Sequence, residues 1–567
     1  MHRKRDMKQD WRGMSPRRRG GWLGPMSAQR AVLLLTLYLL LVANWPLWLS
    51  LARIGANSSA AFGLIAPMLG LQVAATVAML AALAWARGVR WLWWLMVAVA
   101  AFAQYYMLTY NVAMDPGMLA NVLQTDVREV RDLISWRMAA AVVGVMLLPT
   151  WWLSRVRIVV MPWWKQLLAN VGLLALALAL AAATITLSSR NLAPLMRNHV
   201  EVRYLMNPAA PLFSTGVAVY EHWFSRPRVL VKVTEGAALG PSYTHDKRPL
   251  LFVLVVGETA RADHFSLNGY ARDTNPELAR RDVQSWRNVF SCGTSTYSSL
   301  PCMFSPLGRE AFVSRSEDYE NLLDVAQAAG LAVLWLDNQS GCKGVCDRVH
   351  HAQAIEGLNA EQRKALCDGG ECSDEAMLVG LDARIAALPE AQRARGVLLV
   401  LHQMGSHGPA YYKRSRPEQK KFGPECRTEV LSDCDQQALL DAYDNSIVAT
   451  DAFLARTVDW LQTRSAHDDT GLFYVSDHGE SLGEYGLFLH GMPYAIAPDV
   501  QKHVPMVTWF SKPLRQRLGL SEACLRKELD APLTHDNLYA TVLSALDVRS
   551  PSYRRALDAL ASCRSGD

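Results

Sequence analysis

Glu258, and Asp477 with His478 and Glu480, stand far apart in the chain, yet each group directly follows an apolar run of the kind that forms a buried strand. The runs are 250–256 and 471–475, rich in Val, Leu and Phe. In an open α/β sheet, ligands bind at the carboxyl ends of strands, and two carboxylates with an imidazole brought there are ready zinc ligands. Taken alone, Gly257-Glu258-Thr259 also fits a helix N-cap. The second strand end, with metal-capable side chains concentrated in Asp477-His478-Gly479-Glu480, favours the metal reading. A nucleophile for such a site is offered by the hydroxyl-rich stretch Ser291-Cys292-Gly293-Thr294-Ser295-Thr296-Tyr297-Ser298-Ser299. A hydroxyl that attacks phosphorus or sulfur must lose its proton, and coordination to a metal ion lowers its pKa toward neutrality. The same residue types suit a helix N-terminus, whose free N–H groups bind phosphate, and the two readings are compatible.

These groups need elements to carry them. Apolar strands are expected at 250–256, 331–336, 397–402, 471–475 and 505–510, separated by helix-like segments at 319–329, 374–387 and 437–464. Strands alternating with helices predict a parallel sheet covered on both faces, and residues 248–567 are ample for such an α/β domain.

The first third of the chain is different. Five stretches, 31–51, 64–86, 91–112, 137–154 and 167–187, are apolar and long enough to cross a bilayer, for which about 20 helical residues suffice. Together they make a membrane domain over 31–187. Residues 1–30 carry Arg3, Lys4, Arg5, Lys8, Arg12, Arg17, Arg18 and Arg19, which places this arm in the cytoplasm. Arg87, Arg90, Arg155, Arg157 and Lys165 mark two further cytoplasmic loops, so everything after the fifth span is exported. The first span reads as a retained anchor, without a clean cleavage site behind it. The loop 111–136, with Met114-Asp115-Pro116-Gly117 and Asn121 to Asp126, faces the outside as either a solvated connection or a substrate-facing one. Residues 188–247 mix Tyr204, Phe213, Trp223 and Phe224 with Arg203, Arg226 and Arg228, as an interfacial linker does.

All ten cysteines lie in the exported part. An even number there argues for disulfides in an oxidising compartment, and sequential spacing suggests 292/302, 342/346, 367/372 and 426/434 with 524/563, although spacing alone leaves connectivity open. The net charge of +6 owes much to the N-terminal arm, so it reports membrane topology and no nucleic-acid partner.

The motifs Gly257-Glu258-Thr259-Ala260-Arg261, Asn268-Gly269-Tyr270, Cys292-Gly293-Thr294-Ser295-Thr296, Ser406-His407-Gly408-Pro409 and Ser476-Asp477-His478-Gly479-Glu480-Ser481-Leu482-Gly483-Glu484 resemble those of bacterial membrane-bound phosphoethanolamine transferases. The likeness is to the lipid A-modifying branch that includes the mobile colistin resistance enzymes, and it covers nearly the whole chain. It implies an α-helical membrane domain of five spans plus a sulfatase-like, alkaline-phosphatase-like α/β catalytic domain. It also implies a zinc ion held by Glu258, Thr296, Asp477 and His478, with Thr296 accepting phosphoethanolamine as a phosphothreonine. Lys343, His407 and His490 are implied to hold the substrate phosphate or a second zinc, with Asn338 beside them in the substrate site. Gln339 departs from the asparagine common in the family. His264, His350, His351 and His503 are read as structural or surface residues.

The implied reaction moves phosphoethanolamine from phosphatidylethanolamine to a lipid A phosphate. It is carried out by a monomer in the bacterial inner membrane, with the catalytic domain periplasmic and the N-terminus cytoplasmic. The added amine weakens attraction for polycationic peptides such as polymyxins. Open alternatives are another phosphoethanolamine acceptor, such as a core sugar or glycan, and a phosphoglycerol transferase. A formylglycine sulfatase is disfavoured, because neither Cys292-Gly293-Thr294 nor Cys302-Met303-Phe304 has the Cys-x-Pro-x-Arg form. A transporter is disfavoured by spans almost free of charge.

Overall fold

In the computed structural model, residues 24–56, 61–85, 90–124, 133–159, 161–224, 228–245, 247–368 and 371–564 are described. The basic arm therefore falls mostly outside the described residues, as do Arg87, Thr125 and Asp126. The chain divides into two compact units, Met1–Phe102 with Ala140–Leu195, and Ala103–Ala139 with Met196–Asp567.

The apolar third forms the helices α1 (Ala28–Tyr38), α2 (Trp45–Ala56), α3 (Ala61–Ala82), α4 (Arg90–Thr109), α5 (Pro116–Gln124), α6 (Trp136–Arg155) and α7 (Trp163–Asn198). Among the described residues, four helices are long and apolar enough to cross a membrane, within α3, α4, α6 and α7, and the first expected span is a bent pair. Ala28–Ala43 and Trp45–Ile54 meet at 55°. The break has a local cause. Asn44 leaves helical geometry at φ −98°, ψ 16°, its side chain caps Leu39 O at 2.9 Å, and Pro46 has no N–H to continue the ladder. The fifth span also differs from its expected end, since α7 runs unbroken for 36 residues into the stretch expected to be a linker.

The C-terminal unit is built on an eight-stranded sheet. Its strands are β1 (Leu250–Gly257), β2 (Gln284–Phe290), β3 (Ala332–Asp337), β4 (His350–Gln353), β5 (Gly396–His402), β6 (Asp469–Ser476), β7 (His503–Phe510) and β8 (Leu533–Thr534), in spatial order β8-β2-β7-β6-β1-β5-β3-β4. Every residue of β1 and β6 is buried, which is why both read as continuous apolar runs. Alternate side chains of β1 feed two cores. Phe252, Leu254 and Val256 join Leu300 and Met303 of α8 (Thr296–Met303) on one face. Leu251, Val253 and Val255 join Tyr443, Ile447 and Leu454 of α9 (Gln436–Arg464) on the other.

The sheet is mixed, where a parallel one was expected: β7 runs antiparallel to both β6 and β2. A right-handed crossover needs a helix to cover the sheet, and the connection from β6 to β7 holds only a short hairpin and loops, so the chain returns reversed. The expected helix at 374–387 is likewise split. Asp374–Leu378 is a 3₁₀ turn, and Gly380, at φ 68°, starts a separate helix over Leu381–Ala386. All five disulfides pair as the spacing suggested, Cys292–Cys302, Cys342–Cys346, Cys367–Cys372, Cys426–Cys434 and Cys524–Cys563.

Candidate active site

β1 and β6 are parallel neighbours, with Gly257 opposite Ser476, so the turns that follow them are brought side by side. The backbone then ties them together: Asp477 N donates to Gly257 O at 2.9 Å, and Thr259 N to Asp477 Oδ1 at 3.3 Å. Thr259 takes the left-handed conformation, φ 52°, which a β-branched residue adopts only when held. Tyr443 holds it, donating to Thr259 O at 2.7 Å while accepting from Arg261 N at 3.0 Å.

Into this corner α8 delivers its first residue. Thr296 Oγ1 lies 3.0 Å from Glu258 Oε2, 3.2 Å from Oε1 and 3.5 Å from His478 Nε2. His478 donates Nδ1–H to Gly479 O at 2.9 Å, so its other nitrogen faces Glu258 Oε1 at 3.2 Å. Glu258, Asp477 and His478 are fully buried, and one ligand atom from each lies within 4.8 Å of the others.

Two carboxylates in one buried corner repel. Burial, then the neighbouring Glu258 charge, pushes Asp477 upward. Burial works against the Glu258 charge as well, but the bond and charge of His478, helped by His407 and His490, hold it below the usual carboxylate range. Asp477 Oδ2 is buried and makes no hydrogen bond. An orphaned carboxylate oxygen beside a second carboxylate and an outward imidazole nitrogen fits a divalent cation with mixed oxygen and nitrogen ligands, as zinc takes.

Residues 251–548 match the sulfatase family, and residues 72–223 match the family described as phosphoethanolamine transferase EptA/EptB. The chain is 38% identical over 514 residues to phosphoethanolamine transferase EptA of Salmonella typhimurium, covering 88% of this chain and 89% of that one. It is 40% identical over 463 residues to phosphatidylethanolamine transferase Mcr-1 of Escherichia coli, covering 80% and 83%. The chain belongs to the phosphoethanolamine transferase family. Among solved structures, the integral membrane lipooligosaccharide phosphoethanolamine transferase A of Neisseria meningitidis superposes with a TM-score of 0.87 at 33% identity, covering 96% of this chain and 100% of that one. The match spans both halves of the chain, so apolar helices followed by an alkaline-phosphatase-like domain are the architecture of the family.

The residues around the cluster divide into two groups. The His490 ring centre lies 4.4 Å from that of His478, tilted by 46°, and 5.4 Å from that of His407, edge-on at 66°, so the three imidazoles form one group. His490 Nδ1–H donates to Glu480 Oε2 at 3.1 Å, while Glu480 Oε1 is buried without a hydrogen bond. Glu480, read from sequence only as metal-capable, thus orients an imidazole. Gln339 donates to Glu258 Oε2 at 2.9 Å, so the residue at the point of departure from the family pattern supports a candidate ligand.

Lys343 sits in the loop closed by Cys342–Cys346, at φ 49°, with Nζ on Ser340 Oγ at 2.9 Å and Ser340 O at 3.1 Å. Asn338, expected in the substrate site, gives its amide hydrogens to Cys372 O and Asp374 Oδ1, both at 2.8 Å. Asp374 also accepts from Met404 N at 2.8 Å and Gly405 N at 3.0 Å, so Asn338 belongs to the buried wall that shapes the His407 loop.

The segment between the third and fourth spans is part of this same unit. α5 packs against α8, whose first residue is Thr296, and Met114 O accepts from Ser214 Oγ at 2.7 Å. Gly479 shows how little room the ligand turn has. Its N–H donates to Gln501 O at 3.0 Å, and a Cβ on it would lie 2.0 Å from Val500 O. Gly479→Ala must therefore push backbone from backbone beside His478. We expect it to lower turnover roughly 100-fold, since a displacement of about 1 Å costs that much. Steady-state kinetics on protein with an unchanged circular dichroism spectrum checks this.

Proposed function

We propose that this chain transfers phosphoethanolamine from phosphatidylethanolamine to a phosphate of lipid A through a phosphothreonine on Thr296, at a zinc site made by Glu258, Thr296, Asp477 and His478. The observation that carries the reading is the hydroxyl of Thr296, 3.0 Å from Glu258 and 3.5 Å from His478 at the start of a helix. The names of the relatives support the two substrates: Mcr-1 is a phosphatidylethanolamine transferase, and the meningococcal protein acts on lipooligosaccharide. Five disulfides support an oxidising compartment, and with the arginine-rich N-terminal arm they favour an inner-membrane protein whose catalytic domain is periplasmic.

In the first step, Thr296 Oγ1 bonds to the donor phosphorus, and the bond from phosphorus to the diacylglycerol oxygen breaks. The threonine proton leaves toward Glu258, whose carboxylate already accepts from it. A zinc ion held by Glu258, Thr296, Asp477 and His478 would supply positive charge favouring the alkoxide and offsetting charge on the phosphoryl oxygens. His490, turned by Glu480, protonates the departing alkoxide, and Lys343 and His407 hold phosphoryl oxygens. In the second step, an oxygen of the lipid A phosphate bonds to phosphorus and Thr296 Oγ1 leaves, recovering its proton. The acceptor gains a cationic amine, and the surface attracts polycationic peptides less.

The test is mass spectrometry of lipid A from cells expressing the chain. A lipid A species heavier by one phosphoethanolamine group is expected. Unmodified lipid A in cells that make active enzyme would move the acceptor to a core sugar or another glycan.

A further inference from the structure

His535 opens the helix α10 (Asp536–Ala545), has no other histidine near it in sequence, and is 2% exposed. Beyond its own helix, it bonds the ends of β2 and β6 and the segment that brings in Thr296. Its own N–H donates to Phe290 O, the last residue of β2, at 2.9 Å. Its Nδ1 accepts from Cys292 N at 3.1 Å, in the loop leading to Thr296. Its Nε2–H donates to Ser476 O at 3.0 Å, the last residue of β6 before Asp477. Ser299, one turn after Thr296 on α8, places Oγ 3.2 Å from Nδ1 and donates it to Asp477 O at 2.5 Å.

We propose that His535 is a positioning residue: its ring spans the loop before Thr296 and the strand end before Asp477, and so sets the separation of the hydroxyl from the Glu258, Asp477 and His478 cluster. The physical basis is the shape of a neutral imidazole. It presents an acceptor and a donor on opposite sides of a rigid ring, so it can satisfy one N–H and one C=O on two different backbone segments at a fixed spacing. Burial pushes His535 down to about 3, consistent with a ring that stays neutral and keeps both bonds. Neither amide side chain reproduces this. Glutamine can replace only the Nε2 donor, and asparagine only the Nδ1 acceptor. The bridge also explains a long-range feature, since its partners are separated from His535 by 59 residues at Ser476 and 243 at Cys292.

The proposal rests on Thr296 as the acceptor of phosphoethanolamine, and its test keeps the two apart. Full-length enzyme in phosphatidylethanolamine nanodiscs, without lipid A, is followed for mass added to the Thr296 peptide. Labelling of the wild type establishes the Thr296 reading, and absence of labelling there would defeat that reading and not the role of His535. His535→Gln is expected to slow labelling at least about 10-fold, as small misplacements do, with the donor KM and the zinc content within about twofold of wild type. His535→Asn should be slowed as well. Ser299→Ala removes a separate bond, from Oγ to Asp477 O, so its effect should add to that of His535→Gln. Labelling of His535→Gln and His535→Asn at the wild-type rate would overturn the proposal. So would failure of both variants to fold, which would make the imidazole a strut for the domain as a whole.

Discussion

Thr296→Ala is expected to leave lipid A unmodified and to lower transfer on the order of 10⁴-fold or more, because removing a nucleophile leaves only residual binding and charge stabilisation. The fold should survive. Thr296 is the first residue of α8, nearly buried but not part of either apolar core, and its methyl and hydroxyl pack at the site corner. Removing its hydroxyl takes one donor from the buried Glu258 carboxylate, a loss of about 1–3 kcal/mol. Thr296→Ser keeps the hydroxyl and should retain measurable transfer, reduced because serine lacks the methyl that restricts rotation about χ1. Lipid A mass spectra from cells carrying each variant at equal protein level check the series. Ala and Ser variants that lose activity equally would point to a packing role for the methyl group instead of a hydroxyl nucleophile.

Chelation is expected to have the second large effect, on stability as well as turnover. Without a metal, Glu258 and Asp477 would stand together at 0% exposure, with imidazoles, His478 foremost, to balance them. A ligand bound to the native state alone stabilises it by about 4 kcal/mol at a thousandfold excess over Kd, so loss of zinc should lower the melting temperature by several degrees. Turnover should vanish with it and return on adding zinc. The Asp477→Asn variant provides the internal control. It relieves the carboxylate repulsion, so its melting temperature should respond less to chelation than that of the wild type, while its activity stays low. Calorimetry with and without chelator measures both. A wild-type melting curve and activity indifferent to chelation would contradict a metal at this corner.

The parts of this account legible in the sequence are those set by local pattern. β1 and β6 are continuous apolar runs because both faces of each strand are covered, and the residues after them could be assigned to strand ends without a structure. Strand β2 was not legible: Gln284-Ser285-Trp286-Arg287-Asn288-Val289-Phe290 mixes polar and apolar residues, since it lies near the sheet edge between β8 and β7. The reversal of β7 was hidden for another reason. Strand direction depends on what the connection contains, and the apolar pattern of β7 is the same in either direction.

Within the candidate site, Glu258, Asp477 and His478 were legible from clustered chemistry, whereas Thr296 was picked out of its hydroxyl-rich stretch only by the family resemblance. The contacts made by Glu480 and Gln339, and the place of His535 altogether, were not legible, because each depends on a partner that the fold brings in. Glu480 turns His490, Gln339 reaches Glu258, and His535 bridges Cys292 and Ser476. Asn338 was expected in the substrate site, and the fold gives its amide hydrogens to Cys372 O and the buried Asp374. Polar side chains near a site are divided between chemistry and scaffold by burial and partner choice, neither of which is local in sequence.

The central claim is that phosphoethanolamine passes through Thr296. The most direct measurement is peptide mass spectrometry of the full-length, zinc-loaded enzyme after incubation with phosphatidylethanolamine in the absence of lipid A. A phosphoethanolamine group is expected on the peptide containing Thr296, lost on addition of lipid A and absent from Thr296→Ala. A phosphoglycerol group there, or an unlabelled Thr296 in an enzyme that still modifies lipid A, would contradict it.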